Sequence, residues 1–210
     1  MINIFKDPEK GTIIVDLSDV ITESDAKIFK NHSLLSEKLP RELYILVKST
    51  GGDMLACLSI YEDLQKLKER GTKIIGITGV EASSGAFVIF VGCTVRIASQ
   101  ETKFRIHAVH VTRNIRRLND EFENIFVKEL KKNKDNFIHM KDSDFAIFVK
   151  KSLRLASSNP IELQERLEEI IKKHTLLLPE RITQIMSQKN STIIRPAEAL
   201  ELNIIDAIYD

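Results

Sequence analysis

The segment Gly79–Phe87 (GVEASSGAF) contains two serines among small residues, and these hydroxyls could support catalysis. It follows a short apolar segment. The segment before them, Lys73–Thr78, is rich in β-branched residues and predicts a strand, and a small-residue helix follows. A sharp strand-to-helix turn exposes a hydroxyl and directs backbone N–H groups toward a bound group. We therefore predict that Ser83 lies at the turn and Ser84 at the first helical position. A serine that only caps a buried helix would give the same pattern.

A serine nucleophile needs a neighbouring base, and the chain has five histidines. His107 directly follows Phe104–Ile106 of a predicted strand, and strand alternation places it on the face opposite Phe104 and Ile106. Spacing alone does not distinguish it from a structural histidine. Of the others, His110 follows in a less regular stretch, His32 ends an N-terminal helix, and His139 and His174 lie among lysines on predicted helices, where solvent exposure is expected.

Composition excludes several classes of function. The 210 residues carry a net charge of +1, which does not favour a nucleic-acid or membrane-surface partner. Cys57 and Cys93 lie in apolar runs and make neither a disulfide framework nor a zinc site, so we expect core residues in a reducing compartment. The longest apolar stretch, Ala86–Cys93, is too short to cross a bilayer. We expect a cytoplasmic protein without metal or cofactor.

Strands and helices alternate through the first half of the chain. The predicted strands are Thr12–Leu17, Glu42–Val47, Lys73–Thr78, Thr94–Ala98 and Lys103–Val109, and the predicted helices are Ser24–Leu39, Asp53–Arg70 and Ser83–Gly92. This alternation predicts an α/β fold with a mainly parallel sheet. Binding sites in such sheets collect at the carboxyl ends of the strands. Two glycine-marked turns, after Val47 and after Thr78, should meet there.

The second half of the chain has a helical pattern and no glycine, because all eight glycines lie at or before Gly92. Apolar residues recur at helical spacing in several segments. The predicted helices are Arg116–His139 and Asp142–Ala156, two more that begin at Pro160 and at Pro179, and a last one near Ala197 that a short strand follows.

Five short blocks occur in a characteristic order: Ser49–Gly52 (STGG), Ile60–Tyr61, Ala82–Phe87 (ASSGAF), Arg105–His107 (RIH) and Glu198–Asp206 (EALELNIID). Together they resemble the Clp protease proteolytic-subunit family, over about residues 11–110 and 180–210. The resemblance implies one domain over residues 1–210 with a helical extension at about 113–175. It also implies a ClpP/crotonase-like repeated β-β-α (spiral) fold with a mainly parallel sheet and a largely helical C-terminal half.

The resemblance further implies roles for individual residues. Ser83 matches the nucleophile and His107 the general base, while the backbone N–H groups of Gly52 and Ser84 match the oxyanion hole. The triad carboxylate of the family falls at Ser191, beside Asn190, and no Asp or Glu lies between Glu180 and Glu198. Ser191 and Asn190 are therefore the candidate third members.

The implied activity is that of a serine endopeptidase, which cleaves unfolded polypeptides through an acyl-enzyme on Ser83. The resemblance also implies a homo-oligomeric ring and allows an AAA+ ATPase partner, since this chain has no phosphate-binding loop. The family has a glycine-rich segment after its histidine, whereas 108–113 (AVHVTR) contains no glycine. Two alternatives stay open: a weakly active or inactive structural subunit of the same type, and a crotonase-like enzyme acting on acyl-CoA thioesters.

Overall fold

The computed structural model describes residues 2–7, 9, 11–33, 39–109 and 160–210. Contacts divide the chain into a larger unit, residues 1–108 and 166–210, and a second unit, residues 109–165. The predicted helices Arg116–His139 and Asp142–Ala156, and with them most of the predicted helical extension, lie outside the described residues.

Strands and helices alternate as the sequence predicted. The described strands are β1 (Ile2–Asp7), β2 (Thr12–Ile21), β3 (Glu42–Gly52), β4 (Lys73–Ser83), β5 (Val95–Ser99), β6 (Lys103–Ile106), β7 (Thr192–Ile194) and β8 (Ala207–Tyr209). The described helices are α1 (Glu23–Ser33), α2 (Met54–Glu69), α3 (Gly85–Val91), α4 (Pro160–His174), α5 (Pro179–Ser187) and α6 (Pro196–Glu201). Strands β1 and β7 were not predicted. Among these helices, none is long and apolar enough to span a membrane.

One sheet contains all eight of these strands, in the order β1-β2-β3-β4-β5-β8, while β6 pairs with β4 and with β7. Pairing is antiparallel between β1 and β2 and between β6 and β7, and the other neighbours are parallel. The predicted α/β fold with a mainly parallel sheet is therefore confirmed. Helices α2 and α3 connect parallel strands, and every side chain of α3 is buried.

Strands β3 and β4 both extend beyond their predicted ends. The segments after Val47 and after Thr78 were predicted as turns but continue as strand. Between them the register shifts, because Val47 pairs with Thr78 whereas Ser49 pairs with Ala82. Glycine within a strand often marks a β-bulge of this kind. In the sequence, a glycine at a bulge looks the same as a glycine at a turn. The two glycine-marked segments thus lie side by side, as predicted, but as bulged strands.

Buried Arg96 on β5 forms hydrogen bonds to the last of the five sequence blocks, Glu198–Asp206. Its Nε and backbone N–H donate to Asp206 at 3.1 and 2.7 Å, and its guanidinium also donates to the carbonyl oxygens of His174 and Asn203 at 3.0 and 2.7 Å. Charge-assisted bonds of this kind are among the stronger hydrogen bonds in proteins. The block therefore anchors the C-terminal segment to the sheet.

His174 was predicted to be solvent-exposed, and that prediction is wrong. The ring is half-buried, and its Nε2 and the Tyr61 hydroxyl share a hydrogen bond at 2.8 Å. Burial, together with the positive charges of Lys68, Lys173 and Arg96, lowers the pKa of His174 to about 4. The folded chain therefore holds this imidazole in its neutral form.

We expect His174 to make stability fall in mild acid. Its folded pKa of about 4 lies below an unfolded pKa of about 6.5, so the unfolded chain binds the proton first. This contribution is intact above about pH 6.5 and is lost as the pH falls toward 4. The free energy of unfolding in urea should therefore drop more steeply in wild type than in His174→Gln, which keeps a hydrogen-bond acceptor.

The exposed His32 on α1 provides the matched control, because His32→Gln should leave the pH dependence unchanged. Parallel curves for wild type and His174→Gln between pH 7 and pH 4.5 would contradict the expectation.

Candidate active site

The turn between β4 and α3 begins one residue later than the sequence predicted. Ser83 is the last residue of β4, whereas Ser84 forms the turn with φ 53° and ψ −125°, and the helix begins at Gly85. A residue with a Cβ seldom adopts a positive φ, because the Cβ crowds the neighbouring carbonyl. Ser83 therefore lies in the strand rather than at the turn, and Ser84 precedes the helix rather than opening it.

The Ser83 hydroxyl bonds to a carboxylate that the sequence analysis did not identify. Ser83 is 1% exposed, and its Oγ donates to Glu81 Oε1 at 2.6 Å. The Nε of Arg105 donates to the same oxygen at 3.3 Å. Residues two apart on a strand share a face, and Arg105 is the register partner of Ser83 on β6. The two-residue spacing of Glu81 and Ser83, together with the pairing of β4 with β6, could have predicted that these side chains meet Arg105.

The backbone N–H of Ser84, predicted as an oxyanion donor, already has an acceptor. It donates to the carbonyl oxygen of Arg105 at 2.8 Å, which continues the pairing of β4 with β6 by one residue. Along the chain, the next amide is that of Gly85. The second predicted donor, Gly52, ends β3 opposite Ile21 with φ 156°.

Gly51 brings the end of β3 against the turn. A Cβ on this residue would lie 2.8 Å from the Ser84 Cβ and 2.9 Å from the Gly85 nitrogen, and its φ is 98°. Both the positive φ and the close approach require glycine. The predicted meeting of the STGG and ASSGAF blocks is thus confirmed.

His107 follows the end of β6 and is half-buried. Its Nδ1 lies 2.6 Å from the carbonyl oxygen of Ala108. Because a carbonyl oxygen only accepts, Nδ1 carries the proton in this bond, and the neutral ring then has an unprotonated Nε2. That tautomer suits a general base, since Nε2 is able to take a proton from a hydroxyl.

Pairing between β6 and β7 places the candidate third member near His107 in the register. Ile106 is opposite Thr192, and the adjoining residues are His107 on one chain segment and Ser191 on the other. Ser191 is half-buried, whereas Asn190 is exposed. The residue at this register position is thus a hydroxyl rather than a carboxylate.

The remaining histidines do not extend this site within the described ranges. His32 is exposed on α1, His174 bonds to Tyr61, and His110 and His139 lie outside the described residues. In the part of the chain that the structure describes, no three His, Cys, Asp or Glu residues group together as metal ligands. Cys57 and Cys93 are buried, as predicted for core residues, and burial raises the pKa of Cys93 to about 12.

We expect the Glu81 carboxylate to stabilise the fold through Ser83 and Arg105. Glu81→Ala leaves the buried Ser83 hydroxyl without its acceptor, which typically costs about 1–3 kcal/mol. Glu101→Ala, at an exposed position after β5, should change the free energy of unfolding by less than about 0.5 kcal/mol. Urea denaturation measures both. Equal stabilities for the two variants would show that the Glu81 bond contributes nothing.

Comparisons with known proteins place the chain in a family. No protein of curated function matches the sequence. Among solved structures, the fold is similar to that of a variant of ClpP1 from Listeria monocytogenes, with 15% sequence identity and a TM-score of 0.65, over 96% of this chain and 92% of that chain. At this identity the likeness concerns the fold alone, and it confirms the predicted ClpP-like fold.

The family model described as Clp protease matches residues 2–151, more than half of the 210 residues. Its match includes β1 to β6, and so the turn with its two serines and His107. The chain therefore belongs to the Clp protease family.

Proposed function

We propose that this chain is a serine endopeptidase of the Clp type, which cleaves unfolded polypeptides through an acyl-enzyme. The observation that carries the proposal is the register of β6 against β4. Ser83 pairs with Arg105, and His107 lies two residues beyond Arg105. This register brings together the end of a strand that carries a hydroxyl and the end of a strand that an imidazole follows, the two groups that a serine nucleophile and its base require. The sequence assigns Ser83 as the nucleophile and His107 as the base.

In the proposed reaction, the serine Oγ attacks the carbonyl carbon of the scissile peptide bond. His107 Nε2 takes the hydroxyl proton as the C–O bond forms, and backbone N–H groups, Gly52 among them, stabilise the oxyanion. The C–N bond then breaks, and the imidazolium gives its proton to the leaving amine. Water, activated by the same base, hydrolyses the acyl-enzyme.

The Ala108 carbonyl supports the tautomer that this reaction needs. By accepting from Nδ1 at 2.6 Å, it leaves Nε2 as the basic nitrogen. A carbonyl has no net charge, however, and it stabilises an imidazolium less well than a carboxylate does. Replacement of the triad Asp by an amide costs about 10⁴ in rate where it favours the wrong tautomer. With the right tautomer held, we propose a slower but working enzyme, with Ser191 or Asn190 as the third member.

Membership of the family supports the rest of the proposal. The homo-oligomeric ring, the AAA+ ATPase partner and the cytoplasmic location are proposed on that ground. They would explain how unfolded chains reach a site at the β4–α3 turn without a nucleotide-binding loop in this chain.

Two observations favour a second candidate, an inactive structural subunit. The Ser83 hydroxyl donates to Glu81 at 2.6 Å, and the register position beside His107 holds Ser191 in place of a carboxylate. Such a chain would keep the fold and the ring contacts without turnover.

Labelling of the full chain with a fluorophosphonate probe distinguishes the two candidates. An active peptidase is labelled, and His107→Ala should lower the labelling rate at least about 10²-fold, since a positioned base typically contributes 10²–10⁴-fold. The exposed His32→Ala is the matched control and should react like wild type.

Absence of labelling in wild type, under conditions that label a known serine hydrolase, would contradict the proposed peptidase and favour the structural subunit. Equal labelling of wild type and His107→Ala would remove His107 from the mechanism. Cleavage of an unfolded fluorogenic polypeptide should follow the same order among the variants.

A further inference from the structure

We propose that Glu81 restrains the nucleophile: its carboxylate holds the Ser83 hydroxyl in a latent orientation from which the hydroxyl must be released before it reacts. The inference rests on the proposed function, because it concerns the resting state of the serine that forms the acyl-enzyme. Glu81 takes no part in the making and breaking of bonds, and it acts through Ser83 as a positioning residue.

The Ser83 hydroxyl has a single proton, and that proton is engaged with Glu81. Oγ donates it to Glu81 Oε1 at 2.6 Å, a length typical of a hydroxyl bonded to a charged carboxylate. A general base takes a proton from a hydroxyl that is turned toward it. While the bond to Glu81 lasts, this proton is not available to His107, and the structure therefore describes a resting arrangement of the nucleophile.

The direction of this bond follows from the strand register. Glu81 and Ser83 are two residues apart on β4 and share a face of the sheet, with Glu81 nearer the start of the strand. Arg105 is opposite Ser83 on the parallel strand β6, and His107 follows two residues later. The hydroxyl is thus directed back along β4, whereas the imidazole follows the forward end of β6. Rotation about the Ser83 Cα–Cβ bond to another staggered position redirects the hydroxyl.

Cationic side chains on β6 hold the Glu81 carboxylate beside the hydroxyl. The Arg105 Nε donates at 3.3 Å to Oε1, the same oxygen that accepts from Ser83. Lys103 is the register partner of Glu81 and adds a second positive charge on this strand. Because a charged acceptor forms stronger hydrogen bonds than a neutral one, the carboxylate is a more effective restraint than an amide or a carbonyl at the same place.

The restraint slows the reaction without blocking it. The rate scales with the fraction of molecules in which the Ser83 hydroxyl has left Glu81. A hydrogen bond to a charged group typically lowers such a fraction about tenfold or more. The Glu81 side chain is 21% exposed, so water is able to donate to the carboxylate in place of the hydroxyl, which limits the cost of release.

The variants Glu81→Ala and Glu81→Gln test the inference in the full chain, with a fluorophosphonate probe and mass spectrometry to measure the rate of labelling at Ser83. Glu81→Ala should raise that rate about tenfold, because it removes the restraining acceptor. Glu81→Gln keeps the shape but has a neutral acceptor, so it should raise the rate by a smaller factor. The exposed Glu101→Ala is the matched control and should react like wild type.

A rise in rate separates a restraint from a purely structural role for Glu81. Glu81→Ala is also expected to lower the free energy of unfolding, and loss of a purely structural bond gives no reason for faster labelling. Addition of His107→Ala to Glu81→Ala should abolish the gain, because a released hydroxyl still needs its base.

Labelling of Ser83 in both Glu81 variants at or below the wild-type rate would overturn the inference and leave the proposed peptidase intact. No label on Ser83 in wild type or in either variant, while a known serine hydrolase is labelled, would overturn the proposed function itself.

Discussion

The short parallel pairing of β6 with β4 is the contact on which the site depends. It aligns Ser83 with Arg105, and it ends with the bond from the Ser84 N–H to the Arg105 carbonyl at 2.8 Å. Beyond that bond the chain turns into α3, while His107 continues from β6. This backbone ladder therefore aligns the chain segment that carries Ser83 with the one that leads to His107.

Much of the fold could be predicted from the sequence because hydrophobic alternation and glycine placement are local signals. The α/β fold and the meeting of the two glycine-marked segments are examples. The ends of β3 and β4 were predicted too early, because a glycine at a bulge and a glycine at a turn cannot be distinguished in a single sequence. The Glu81 bond and the burial of His174 were missed for another reason: each depends on a neighbour that only the tertiary structure supplies.

The site differs from the family pattern in its electrostatics. No carboxylate occupies the register position beside His107, yet one lies beside Ser83, where it bonds the hydroxyl. The Ala108 carbonyl orients the imidazole without adding charge. The imidazole thus has a neutral hydrogen-bond acceptor beside it, whereas the carboxylate bonds the Ser83 hydroxyl.

A crystal structure of the fluorophosphonate-treated chain tests this account most directly. The account predicts electron density continuous from Ser83 Oγ to phosphorus, with His107 Nε2 within about 3 Å of the adduct. An unmodified Ser83, or a His107 ring turned away from the adduct, would contradict it.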